Sequence, residues 1–166
     1  MLAIPAPETI QLIYLAFSQH QEMHPTAKFV DMGTGSGVFC WLLHRAGIPR
    51  DRLIAVDLPE DMKTQEFAHC YWDDIIRDAG YTPNEEDFLF IAWGYEEDTI
   101  EEEIWPPIQR YVDAGGCCVA ILGDDGCTVS YAVMEGVPGW KTISKDAVVP
   151  SCEVFRSDYL TVSVKA

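Results

Sequence analysis

Basic residues are scarce in this chain: 11 Lys and Arg stand against 27 Asp and Glu, a formal net charge of −16. Binding to a nucleic-acid backbone depends on clustered Lys and Arg, so no nucleic-acid partner is expected. No apolar run approaches the roughly 20 residues that span a bilayer, and the N-terminal residues lack a basic segment leading into an apolar core and a cleavage site. A membrane is not expected either. The six cysteines, Cys40, Cys70, Cys117, Cys118, Cys127 and Cys152, include no Cys-x-x-Cys pair and no Cys/His spacing of a zinc site. A metal is therefore not expected, and free thiols fit a reducing, intracellular setting, most simply the cytoplasm. His20, His24, His44 and His69 are scattered and read as surface or helix histidines.

What is present is a globular composition, 48% hydrophobic over 166 residues, which suits a single domain spanning 1–166 with a sizeable core. The acids gather between Asp57 and Glu103, including Asp73-Asp74, Glu85-Glu86-Asp87, Glu96-Glu97-Asp98 and Glu101-Glu102-Glu103. Such runs read first as a solvated face that keeps the protein soluble. Their second reading is steering of a cationic substrate or a basic protein partner.

The most informative stretch is Asp31-Met32-Gly33-Thr34-Gly35-Ser36-Gly37, which follows a short apolar run. Glycine lets backbone adopt left-handed angles and approach a ligand closely, so three alternating glycines suggest contact with a small molecule. The dinucleotide fingerprint Gly-x-Gly-x-x-Gly is only half met, because Val38 stands where its third glycine belongs, and a dehydrogenase is the weakest reading. A phosphate-binding P-loop fails as well, since no Gly-Lys-Ser/Thr follows. Beyond the loop, Val38 to Arg45 has the pattern of a helix, Gly47 suits its end, and Arg52 to Asp57 reads as a second strand closed by an acid. An acid about 20 residues past such a loop is placed to accept hydroxyl hydrogens from a ribose.

Elsewhere, Ile10, Ile13, Tyr14 and Phe17 recur at helical spacing within Glu8 to Gln21. Asp87 to Trp93 and Cys117 to Leu122 read as buried strands, with Cys117 and Cys118 directed to opposite faces. A third strand is expected within Phe67 to Trp72, a helix over Thr99 to Ala114 broken at Pro106-Pro107, and a turn at Gly123-Asp124-Asp125-Gly126. Trp140 to Asp146 and Tyr159 to Val164 alternate as a half-exposed terminal pair would.

The segment Asp31 to Gly37 resembles motif I of the Rossmann-like methyltransferases that use S-adenosylmethionine, and the order strand, glycine loop, helix, strand, acid agrees with it. More narrowly, the layout is similar to a small methyltransferase-like group in which the fourth strand ends in Trp-Pro-Pro-Tyr, the fifth in Gly-Glu or Gly-Asp, and a late Trp precedes a closing strand pair. The corresponding residues here are Trp93-Gly94-Tyr95-Glu96, Gly123-Asp124 and Trp140. Gly94 and Tyr95 replace the two prolines, a departure from the loop that recognises the target in amino-methylating relatives. The resemblance implies an α/β three-layer sandwich with a mostly parallel sheet, an antiparallel C-terminal strand and a reduction around the third strand.

It also implies roles. Asp31 would accept from the ammonium of the methionine part; Gly33, Thr34, Gly35, Ser36 and Gly37 would line the cofactor; Asp57 would hold the ribose and Leu58 flank the adenine. Asp73 or Asp74, beyond the third strand, would meet the adenine amino group, and Trp93 would lie near the methyl. Tyr95, Glu96 and Asp124 are the candidates for a general base, although a sulfonium donor needs none. Two functions follow: methyl transfer to a small molecule or protein side chain, or a non-catalytic interaction or structural protein of the same fold, with or without the cofactor.

Overall fold

The computed structural model describes residues 5–57, 71–77, 80–92, 105–124, 134, 136–148 and 158–166. Chain order among them is α1 (Pro7–Met23), β1 (Phe29–Met32), α2 (Val38–Arg45), a short 3-10 turn (Arg50–Arg52), β2 (Leu53–Asp57), β3 (Ile75–Arg77), β4 (Phe88–Ala92), α3 (Trp105–Asp113), β5 (Cys118–Asp124), β6 (Trp140–Val148) and β7 (Asp158–Lys165). The strands form one sheet in the order β3-β2-β1-β4-β5-β7-β6. Pairing is parallel from β3 through β5, and β7 runs antiparallel to both of its neighbours.

Alternation along the central strands sends side chains to both faces, and each face carries its own core. Phe29, Phe88, Phe90, Ala120 and Leu122 meet Ile10, Ile13 and Phe17 of α1 and Phe39 and Leu43 of α2. Val30, Val56, Leu89, Ile91, Val119 and Ile121 meet Ile108 and Tyr111 of α3. The first face is dominated by rings: Phe17 meets Phe29 edge-on at 5.6 Å between centroids and Phe88 at 5.7 Å, while Phe39 meets Phe90 at 5.0 Å. Edge-to-face pairs at this spacing add about 0.5–1.5 kcal/mol each beyond the area they bury. The result is the expected three-layer α/β sandwich, and no helix of the described residues is long and apolar enough to cross a membrane.

Four details differ from the sequence reading. The third strand is Ile75–Arg77, later than Phe67 to Trp72, and only three residues long. Helix α3 begins at Trp105, so Pro106 and Pro107 fall in its first turn, where a missing N–H costs nothing, and the segment 99–104 lies outside the described residues. Gly123 and Asp124 continue β5, opposite Tyr159 and Asp158, instead of turning. Finally, β7 is mostly buried because β5 and β6 flank it; only β6, at the sheet edge, keeps an exposed face.

Candidate functional site at the C-terminal ends of the central strands

Strand order reverses between β1 and β4, and an open α/β sheet has its crevice at such a switch point, outside the carboxyl ends of the strands. The segment Gly33 to Gly37 occupies this place. Gly33 N–H and Thr34 N–H both donate to the Val56 carbonyl of β2, at 2.8 and 3.0 Å, and Gly37 N–H closes back on Thr34 O at 2.9 Å. All three glycines have left-handed φ: +76° at Gly33, +56° at Gly35 and +73° at Gly37. Side chains are disfavoured there for backbone reasons, yet two of the three positions differ in what surrounds them.

A Cβ on Gly33 would meet no atom within 4 Å, so that side of the loop faces open space. A Cβ on Gly37 would fall 2.3 Å from Trp72 Cβ. Gly37 is thus a packing glycine at the start of α2. The chain before β3 lies against it: Tyr71 and Trp72 N–H groups reach the Ser36 carbonyl at 2.9 and 3.3 Å, and the Tyr71 ring packs on Trp41 of α2 at 5.3 Å.

The two acids expected from the sequence converge beside this loop. Asp31 stands opposite Ala55 in the β1–β2 register, with Asp57 two residues further along β2, and both are buried. Thr34 Oγ1 donates to Asp31 Oδ2 at 2.5 Å. Burial pushes the Asp31 carboxyl up to about 7; the Thr34 hydrogen bond opposes this, and the nearby Asp57 charge adds to it. Burial likewise raises the Cys40 thiol on α2, with the Asp31 charge contributing. A buried carboxyl with a second acid beside it can accept hydrogen bonds from a cation or from hydroxyl donors.

The other expected site residues divide. Thr34, Gly35 and Ser36 complete the loop, with Thr34 and Ser36 buried. Asp73 is not brought to it. Because Ile75 pairs with Ala55, Asp73 precedes β3 at the N-terminal end of the sheet, where it is exposed and ion-paired with Arg50. That pair holds the Asp73 carboxyl below its usual range through the Arg50 hydrogen bond. The Arg50 guanidinium in turn lies over the Trp72 ring at 4.4 Å. Asp74 shares that position before β3. Leu58, Trp93, Tyr95 and Glu96 lie outside the described residues, as does the Asp124 side chain.

Sequence reasoning missed a different cluster. His20 in the last turn of α1 and His24 at its C-cap meet Cys117 at the opposite end of the sheet. The i, i+4 spacing of the two histidines was the available signal; the cysteine, 93 residues away from His24, gave none.

No protein-family model matches the chain, and no curated protein matches it by sequence. Solved structures do match in fold. A SAM-dependent methyltransferase from Anabaena variabilis aligns with a TM-score of 0.55 at 8% identity, over 85% of this chain and 77% of that one. Magnesium protoporphyrin IX methyltransferase from Synechocystis with bound SAH aligns at 0.56 and 12% identity, over 96% and 83%. An O-methyltransferase from Bacillus cereus in complex with SAH aligns at 0.55 and 13% identity, over 99% and 84%. Strand order, the antiparallel β7, the glycine loop after β1 and these neighbours agree: the chain has the Rossmann-like fold of the S-adenosylmethionine-dependent methyltransferases.

Proposed function

We propose that this chain binds S-adenosylmethionine in the crevice above β1 and β2 and transfers its methyl group to a small molecule or a protein side chain. The observation that carries the reading is the pair of buried acids, Asp31 and Asp57, flanking a glycine loop whose Gly33 side is open. The donor set fits the cofactor. Thr34 fixes one oxygen of Asp31, leaving the other to accept from the cofactor's ammonium. Asp57 at the tip of β2 accepts from the ribose hydroxyls, and the left-handed glycines let the backbone approach the ligand closely. Asp73 is left out of this set by its position before β3.

The sulfonium of the cofactor supplies an already activated methyl, so the work left to the chain is to bind, orient and exclude water. Tyr95, Glu96 and Asp124 remain the candidates to take a proton from the acceptor, and Leu58 and Trp93 to border the adenine and the methyl. With 27 acidic residues against 11 basic ones, the surface is first a solvated face, and its second reading is the steering of a cationic acceptor or a basic protein partner. A second reading, a cofactor-binding domain without catalysis, draws on the reduction of β3 to three residues.

Calorimetric titration with S-adenosylmethionine and with S-adenosylhomocysteine tests the site. Micromolar binding of both is expected, weakened at least about tenfold in Asp31→Asn and in Asp57→Ala, the loss of a charge-assisted hydrogen bond in each case. Absence of heat and of any thermal shift with either ligand would overturn the reading. Binding without transfer of labelled methyl to any of a panel of amines, phenols, carboxylates and basic peptides would favour the second.

A further inference from the structure

The N-terminal ends of the parallel strands carry a second group of chemically capable side chains, independent of the crevice. His20 lies in the last turn of α1, His24 is the residue that caps its C-terminus, and Cys117 immediately precedes β5. One ligand atom of each lies within 4.8 Å of the other two, and Cys117 Sγ is 3.8 Å from His24 Nε2. Tetrahedral zinc, with Zn–N near 2.0–2.1 Å and Zn–S near 2.3 Å, separates its ligand atoms by roughly 3.3–3.6 Å. The histidine–cysteine distance is already close to that value; the third ligand atom lies within 4.8 Å, and side-chain rotation that opens the His20–His24 ring stack is needed to aim both imidazoles at one ion.

Each ligand is held by the fold. The His20 ring is buried and edge-on to Phe88 at 5.6 Å. His20 Nε2 lies 2.7 Å from the Glu86 carbonyl, the contact that fixes the tautomer and orientation of a metal-binding imidazole by leaving its other nitrogen unprotonated. The Cys117 backbone is fixed from two sides. Its N–H donates to Tyr111 Oη at 3.1 Å and its carbonyl accepts from Lys165 N–H at 3.0 Å. Gly115 has a left-handed φ of +93°, and a Cβ on Gly116 would lie 2.3 Å from the Tyr111 ring, so the turn that delivers the cysteine has one fixed shape.

The surroundings favour a cation. The three side chains stand at the negative end of the α1 dipole, and the Glu85 and Glu86 carboxylates act on Cys117. Two imidazoles and a thiolate are a borderline-soft donor set, which suits zinc rather than magnesium or calcium.

We propose that His20, His24 and Cys117 bind a Zn²⁺ ion, with a fourth position left to water or the Glu86 carboxylate. On binding, the thiol gives up its proton to solvent as the sulfur–metal bond forms. The ion joins the end of α1 to the start of β5, residues far apart in sequence.

The test uses the full chain without a histidine tag, stripped with chelator, and Co²⁺ and Zn²⁺ as probes. One equivalent of Co²⁺ should give a sulfur-to-cobalt charge-transfer band and the intense visible bands of a four-coordinate site, both displaced by Zn²⁺. Cys117→Ser should abolish the charge-transfer band, and His24→Ala should weaken Zn²⁺ binding by roughly 100-fold. Asp31→Asn, in the crevice, should leave both unchanged, which separates failure here from failure of the cofactor site. Circular dichroism of each variant establishes that it is folded. The absence of a charge-transfer band, or zinc affinity unchanged in folded Cys117→Ser and His24→Ala, would overturn the proposal and assign any metal uptake to the acidic surface.

Discussion

Asp31 concentrates the electrostatics of the crevice in one carboxyl. Its folded-state value of about 7 lies above the ordinary 3.8, so the folded protein holds a proton that the unfolded chain has released between those values. Stability is therefore highest below about pH 4 as far as this group is concerned, falls as pH rises towards 7, and levels off above it. Replacing the carboxylate by a neutral amide of the same shape removes that cost. Asp31→Asn should raise stability by roughly 1–3 kcal/mol at pH 8 and change it little near pH 4, read from denaturant melts at the two values. Cofactor binding should run the other way, since the ammonium needs the ionised acid: wild-type affinity should drop by up to about tenfold per unit as pH falls below 7, and the variant should show no such slope. Loss of stability in Asp31→Asn at pH 8 would mean that the carboxylate is satisfied in the empty protein and is not held ready for a cation.

At the scale of elements, the loop between β1 and α2 depends on two glycines for different reasons, and substitution separates them. Gly37→Ala combines a left-handed φ with a collision against Trp72, and a loss of about 3 kcal/mol or more is expected. Gly33→Ala carries the backbone strain alone, about 1–2 kcal/mol, but places a methyl in the open side of the loop and should abolish cofactor binding. Equal destabilisation by the two, measured by thermal melting, would remove Trp72 from the account. This part of the chain was legible in the sequence: β1, the loop, α2 and β2 fall within a residue or two of where apolar pattern, glycine spacing and terminal acid put them, because each signal is local. Other elements had no such signal. β3 has three residues, too few to show an alternation, and its acids at 73 and 74 precede it instead of following it, which is why Asp73 was expected at the wrong end of the sheet. Pro106 and Pro107 break a helix in its interior and begin one at its start, and spacing alone does not distinguish the two. The convergence of His20, His24 and Cys117 depends on the sheet order itself, which brings the start of β5 beneath the end of α1.

For the whole molecule, the excess of 16 negative charges sets how it responds to solution conditions. Among the described residues the printed ion pair is Arg50–Asp73, and an excess of like charge repels across a protein surface. Screening should then stabilise: melting temperature should rise between about 0.01 M and about 0.1 M salt, as the screening length falls from about 30 Å to about 10 Å. A flat or falling curve would place the compensating charges within the chain. The position of β7 has a further consequence, for the order in which the sheet can assemble. β7 comes after both of its neighbours in sequence, yet it is the strand that joins them, with β5 on one side and β6 on the other. Until it docks, β6 has nothing to pair with and β5 presents a bare row of amides and carbonyls. The parallel half from β3 to β5 can form early, whereas the last two strands must be added together, as a hairpin-like unit closing onto an open edge. During that interval the nascent protein is most exposed to pairing with another chain.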